Sequence, residues 1–275
     1  MDRIKQISGI FGEIKEKVPL VHHITNYVTV NDCANVVLAI GASPIMADDV
    51  AEVEEIVSIA DALVLNMGTL NQRTVASMIS AGKRANSLGI PVIFDPVGAG
   101  ASRFRSETAR KISESVKLTV LRGNLSEVSF MAGLKAAARG VDTALEDEKN
   151  DPVAIGCQAA RQLGCVAAVT GAVDVITDGK QMVKIHNGHP MLSKVTGTGC
   201  MTSSLVGAFA GAAKDAFSAA AGGVAVMGIA GELAYEKAKD LGTGSFRMEL
   251  MNAVSQMDDR IFQQRAKLEE IQGGK

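Results

Sequence analysis

Short aliphatic runs alternate along this chain with stretches in which apolar positions recur at helical spacing. Residues 1–19 pattern as an amphipathic helix with charges throughout, rather than as an apolar leader. Residues 36–40 read as a helix end, and 42–46 as the strand that follows it. An acidic helix over 48–59 leads into Ala62-Leu63-Val64-Leu65-Asn66, apolar on both faces and therefore a buried strand. Helical spacing over 74–88 stops at Gly89, and Pro91-Val92-Ile93-Phe94-Asp95 forms the next strand. A strand over 118–121 precedes a helix over 124–132. Residues 152–163 are helical with Gly164 as stop signal, and 166–169 are extended. Runs at 173–176 and 181–185 flank Asp178-Gly179, a hairpin turn, and three long helical segments complete the chain. Buried strands separated by helices predict a three-layer α/β/α fold. Its sheet is mostly parallel, covered on both faces, with an antiparallel edge.

Composition sharpens this picture. Hydrophobic residues make up 47% of the 275, but aromatics only 4%, so aliphatics and alanine must fill the core. That suits small-residue helices lying close on the sheet. With no linker or low-complexity tract, residues 1–275 are expected to form one domain. A net charge of −2 with both signs interspersed makes no electrostatic case for nucleic acid or an acidic membrane surface. Phosphate binding must then be local. Cys33, Cys157, Cys165 and Cys200 contain no C-x-x-C pair, hence neither zinc spacing nor a disulfide framework. Residues 216–231 are apolar but short of a membrane span, and Lys214-Asp215 and Glu232 flank them; a buried helix is expected. A soluble cytoplasmic protein follows from these readings.

In doubly covered parallel sheets, ligands sit beyond the carboxyl ends of the strands. Polar and glycine-rich residues collect at those ends here: Asp95 to Ala101, Arg122 to Glu127, and Thr170-Gly171-Ala172. The hairpin then leads to Thr196-Gly197-Thr198-Gly199-Cys200, where a long small-residue helix begins. Glycines there admit a close ligand, and a helix start offers unpaired N–H groups and a positive dipole end. Gly197, Thr198, Gly199 and Cys200 thus form a candidate anion hole, in which the helix start is expected to favour the Cys200 thiolate. A plain helix entry with a buried cysteine would carry the same string.

The other elements also have double readings. Gly98-Ala99-Gly100 lacks a third glycine, since Arg103 stands at that place, and a tight turn explains it as well. No P-loop string occurs. Asp95 before Pro96 could cap a turn. Asn124 and Glu127 fit a capping box and a metal site equally well. Arg122 beside a positive helix end is unfavourable unless an anion binds there. His22 and His23, adjacent on a strand, point to opposite faces, which makes a metal pair the lesser reading.

Seven strings occur in an order that resembles the hydroxyethylthiazole kinases of the ribokinase-like superfamily. They are His22-His23-Ile24-Thr25-Asn26, Asn31-Asp32, Gly41 to Met46, Asn66-Met67-Gly68-Thr69, Asp95 to Gly100, Arg122 to Glu127, and Gly197 to Cys200. The resemblance implies a ribokinase-like fold and transfer of phosphate from MgATP to the hydroxyl of 4-methyl-5-(2-hydroxyethyl)thiazole, in thiamine salvage. It implies that Met46, Gly197 and Asn26 bind the thiazole, while Arg122 and Thr170 bind ATP. Asp95 and Glu127 would position Mg²⁺, partly through water. Cys200 stands where most ribokinase-like enzymes carry an aspartate base, so the resemblance makes it the catalytic residue, as proton acceptor or as orienter of the hydroxyl. It also implies homotrimers with sites between subunits, in which Met46 and Asn26 would serve a neighbour's site. A kinase of another small alcohol is the alternative within the fold. An ATP-dependent dehydratase of hydrated nicotinamide cofactor would be expected to carry aspartate at position 200. A non-catalytic relative would be expected to have lost the acids or the anion hole.

Overall fold

A computed structural model of the chain describes residues 2–134 and 151–271. The first helix, α1 (Arg3–Lys17), starts at Asp2, whose carboxylate accepts the Ile4 N–H. Then follow β1 (Leu20–Ile24), α2 (Val30–Ile40), β2 (Ser43–Met46), α3 (Val53–Ser58), β3 (Ala62–Asn66), α4 (Gln72–Leu88) and β4 (Val92–Asp95). Next come α5 (Arg103–Ser115), β5 (Val120–Asn124), α6 (Leu125–Met131), α7 (Pro152–Leu163), β6 (Val166–Thr170), β7 (Asp174–Thr177) and β8 (Met182–Ile185). A 3₁₀ turn over Pro190–Lys194 leads to α8 (Thr198–Ala212), α9 (Ala216–Ala238), α10 (Thr243–Ser255), α11 (Asp259–Arg265) and β9 (Leu268–Ile271).

Among the described residues, one sheet runs in the order β2-β1-β3-β4-β5-β6-β7-β8-β9. Pairings from β2 to β6 are parallel, and those from β6 to β9 antiparallel. This is the expected three-layer α/β/α arrangement. One face buries α1, α2, α8, α9 and α10 around Phe11, Phe209 and Phe246. The other buries the α3–α7 layer around Phe94, Ile112 and Met78. With few aromatics available, small residues let the helices approach closely. A Cβ added at Gly207 of α8 would lie 2.6 Å from Val64 of β3. α9 is long and apolar enough to cross a membrane, yet 83% of its apolar window is buried within the protein.

Three expectations need correction. The acidic helix expected over 48–59 is only Val53–Ser58, because Asp49 folds back to accept the Ala51 N–H in a turn. The strand expected over 118–121 runs instead to Asn124, which places Arg122 on β5 rather than after it. The described residues also end with β9, an edge strand paired to β8, where helix alone was expected. The histidines do face opposite ways: His22 Nε2 donates to the Ala47 carbonyl, and His23 Nε2 meets Ser204 Oγ of α8. Burial holds both imidazoles neutral.

Candidate active site

Parallel register brings the carboxyl ends of β3, β4, β5 and β6 to one edge. Asn66 lies beside Asp95, and Asn124 beside Thr170. The amino end of α8 points at the same edge. Gly197 caps it with φ 90°, a conformation open to glycine, and a Cβ there would lie 2.7 Å from Thr29. Thr198, Gly199 and Cys200 are the first three helical residues, whose N–H groups have no intrahelical acceptor.

Asp95 is wholly buried. Ser203 Oγ donates to its Oδ2 at 2.7 Å, Asn66 Nδ2 at 3.0 Å, and Arg122 Nη1 reaches the same oxygen at 3.4 Å. All three donors pin one oxygen. Oδ1, equally buried, accepts nothing among the described residues. Burial raises the carboxyl pKa to about 6, with the Glu127 charge adding, against the opposing pull of Arg122 and Ser203.

Glu127 is arranged differently. It completes the capping box of α6, since Asn124 Oδ1 accepts the Glu127 N–H while Glu127 Oε2 accepts the Asn124 N–H. Its Oε1 accepts the N–H of Gly98, tying α6 to the turn after β4. Gly98 and Gly100 both have positive φ in that turn, which is the tight turn of the simpler reading.

Arg122, only 12% exposed in its side chain, lies across the start of α8. Its Nη2 donates to Thr170 Oγ1 at 2.8 Å, and a Cβ at position 199 would come 2.8 Å from Nη1. Only glycine lets this cation lie so close to a positive helix end, and a bound anion resolves the repulsion.

Cys200 Sγ accepts two amides, from Asn26 Nδ2 at 3.2 Å and Asn66 Nδ2 at 3.3 Å. The expectation of a favoured thiolate is corrected here. Burial, followed by the charge of Asp95, pushes the thiol pKa up, and the amide donors only partly oppose this. Asn26 donates to the Cys200 of its own chain.

These residues line two cavities divided by Gly199 and Arg122. One, of about 400 Å³, holds Asn26, Asp95, Glu127, Gly197 and Cys200. The other, of about 520 Å³, holds Thr170 and Thr198 and runs along α9 to Val224 and Met227. Met46 is not brought to Cys200: at the end of β2 it lines a third cavity, with Asn66, Thr69 and Asn71.

Sequence reading assigned no role to Asn66, Ser203 or Arg105. The first two pin Asp95. Arg105 of α5 donates to the carbonyls of Met67, Gly68 and Val97, tying together the loops after β3 and β4. Ser203 lies one turn from Cys200 on the same helix face, a spacing that could have signalled it. A divalent cation fits the buried free oxygen of Asp95, with Glu127 nearby. No group of three or more His, Cys, Asp or Glu suited to a metal occurs among the described residues, so phosphate and water oxygens would complete its shell.

Comparison with known proteins gives the family. The hydroxyethylthiazole kinase family model matches residues 11–260. The chain is 60% identical over 268 residues to a hydroxyethylthiazole kinase of Ruminiclostridium cellulolyticum, covering 97% of this chain and 98% of the relative. It is 51% identical over 269 residues to one from Clostridium beijerinckii, covering 97% and 98% respectively. Among solved structures, hydroxyethylthiazole kinase from Pyrococcus horikoshii OT3 superposes with TM-score 0.89 at 38% identity, covering 98% of this chain and 100% of that one. A ribokinase-like superfamily protein from Enterococcus faecalis, at 12% identity and TM-score 0.63 over 89% of both chains, shares the fold. The chain belongs to the hydroxyethylthiazole kinase family.

Proposed function

We propose that this chain transfers the γ-phosphoryl group of ATP to the hydroxyl of 4-methyl-5-(2-hydroxyethyl)thiazole across the divide at Gly199. The observation that carries the reading is the placement of Arg122. It faces both cavities beside a glycine-opened helix start, so a phosphoryl group between them meets a guanidinium and converging N–H groups. Nucleotide lies in the larger cavity, with its phosphates toward Arg122 and Thr170. The thiazole lies on the Cys200 side, within reach of Asn26 and Gly197. Its primary hydroxyl attacks the γ-phosphorus in line, the bond from phosphorus to the β-bridging oxygen breaks, and ADP leaves. The proton moves late, to an oxygen of the transferred group, since a loose transition state puts little charge on the attacking oxygen. Cys200 therefore orients the hydroxyl as a neutral thiol. Asp95 Oδ1 and, through water, Glu127 would hold Mg²⁺, which would supply neutralisation of the phosphate charge.

Assembly completes the acceptor pocket in this reading. Val28 (56% exposed) lines the Cys200 cavity and Tyr27 (78% exposed) the Met46 cavity, where a second copy would cover them. A homotrimer would turn Met46 toward a neighbour's Cys200. Free cysteines suit a reducing compartment, the cytoplasm.

A coupled ADP-release assay with Mg²⁺, ATP and hydroxyethylthiazole tests the reaction. ADP release that requires the thiazole and is abolished by EDTA is expected; thiazole-independent turnover would overturn it. Mixing Met46→Arg and Cys200→Ala subunits tests the assembly, with recovered activity expected if each site draws on two chains.

A further inference from the structure

Beyond Gly199, the larger cavity changes character along its length. Arg122, Thr170 and Thr198 make one wall polar, while Leu192, Val224 and Met227 make another apolar. Asp174, at the start of β7, is the one carboxylate among the described residues lining this cavity. Its Oδ1 accepts the Gly171 N–H at 2.9 Å, closing the turn between β6 and β7. Its other oxygen accepts no hydrogen bond from the described residues. Burial raises its pKa to about 6, opposed by the Gly171 N–H and the charge of Arg122.

The neighbouring polar side chains are already engaged. Asn187 donates to the Arg265 carbonyl and Glu232, and accepts the Lys267 N–H. His189 Nδ1 accepts the Met191 N–H, and its ring stacks on Tyr235 at 3.6 Å. Asp174 is thus left as an anionic acceptor next to the phosphate end. It would repel a phosphate, and the amino donor of a purine lies at the far end of a nucleotide from its phosphates. A pair of hydroxyl donors would.

We propose that Asp174 accepts the ribose hydroxyls of the nucleotide and is the residue by which the site tells a ribonucleotide from a deoxynucleotide. The inference rests on the reading of this cavity as the nucleotide site. A site built to accept a hydroxyl proton discriminates against the analogue that lacks it, because the acceptor is then left unpaired.

The test needs the intact enzyme with ATP, 2′-deoxy-ATP, 3′-deoxy-ATP and inosine triphosphate. For the wild type, kcat/KM is expected to be about tenfold lower with at least one deoxynucleotide, through KM rather than kcat. Asp174→Ala should erase that ratio by weakening ATP alone, while kcat changes less than about twofold. Asp174→Asn keeps an acceptor for Gly171 and should restore part of the ratio. Equal use of ATP and both deoxynucleotides by the wild type would overturn the inference without any variant. So would a ratio unchanged in Asp174→Ala, or a preference against inosine triphosphate that moves in its place. If Thr170→Val and Arg122→Gln leave the KM for ATP unaltered, the nucleotide does not occupy this cavity and both readings fall. If they raise it while the deoxynucleotide ratio survives in Asp174→Ala, the ribose assignment alone falls.

Discussion

The end of β4 and the start of α6 each present one buried acid to the same cavity, but the two acids are placed for different work. At the end of β4, three donors converge on Asp95 Oδ2 and leave Oδ1 bare. At the start of α6, both oxygens of Glu127 accept backbone N–H groups from different segments. A carboxylate with an unpaired buried oxygen is costly to the fold unless a ligand meets it. One whose two oxygens are shared between a helix cap and a loop is part of the frame. Residues of the same chemistry lining one cavity can therefore be separated into a ligand-holding group and a supporting one by counting their hydrogen bonds.

Asp95→Asn should sharpen that contrast most. Loss of the bare anionic oxygen is expected to lower kcat about a hundredfold to a thousandfold. Stability of the ligand-free protein should not fall with it. The folded pKa of about 6 lies above the unfolded value of about 3.9. The native state therefore binds more protons between these values, and the contribution to stability is present below the lower one and lost as pH rises through about 6. Activity moves the opposite way, since it needs the ionised form: kcat should fall about tenfold per unit below pH 6. Urea titrations and pH–rate profiles of both proteins check this. An Asp95→Asn enzyme that is both active and destabilised would reverse the roles assigned to the two acids.

Glu127→Gln should act on both properties at once. Glutamine keeps one acceptor and turns an amide N–H₂ toward a second backbone donor, so one of the two bonds is replaced by donor facing donor. A stability loss of about 1–3 kcal/mol is expected in denaturant unfolding, together with about a tenfold loss of activity as the Gly98 turn loosens. Loss of activity at unchanged stability would make Glu127 a ligand first and a cap second.

The sequence shows Glu127 in both roles because Asn-x-x-Glu is a local string, and capping is decided locally. The same locality explains what else could be read. Alternation of aliphatic runs with helical spacing located β3, β4, β6 and the β7–β8 hairpin. β5 reads short because Arg122, Gly123 and Asn124 look like loop, although they extend a strand that delivers side chains to the site. Leu268-Glu269-Glu270-Ile271 carries no apolar run, and β9 forms through long-range pairing with β8. Asn66 and Ser203 escaped notice because their role exists only in three dimensions, where register and helix packing bring them to Asp95. The likeness to a family points to Asn26, Asp95, Glu127, Gly197 and Cys200, which line one cavity. Within a single chain Met46 lines a separate cavity that also holds Asn66.

Cys200 carries the smallest expected effects, and the reasons lie in its surroundings. Each of the two amides that donate to Sγ has its second hydrogen placed elsewhere: Asn26 on Asn66 Oδ1, and Asn66 on Asp95 Oδ2. The sulfur thus sits in a cradle of donors, where burial and the charge of Asp95 still keep the thiol protonated. Cys200→Ala leaves both hydrogens without an acceptor and frees the Asn66 amide that pins Asp95. About a tenfold fall in kcat is expected, with little change in KM for ATP. Cys200→Asp fills the cradle with a carboxylate and should keep substantial activity, within about threefold of the wild type. Its second negative charge beside Asp95 disfavours ionisation of that acid, so the acidic limb of the pH–rate profile should move upward from about pH 6. Measured together, the two substitutions separate an acceptor that orients from one that must take a proton. If alanine keeps wild-type turnover, the thiol does neither, and Asp95 and the start of α8 carry the transfer between them.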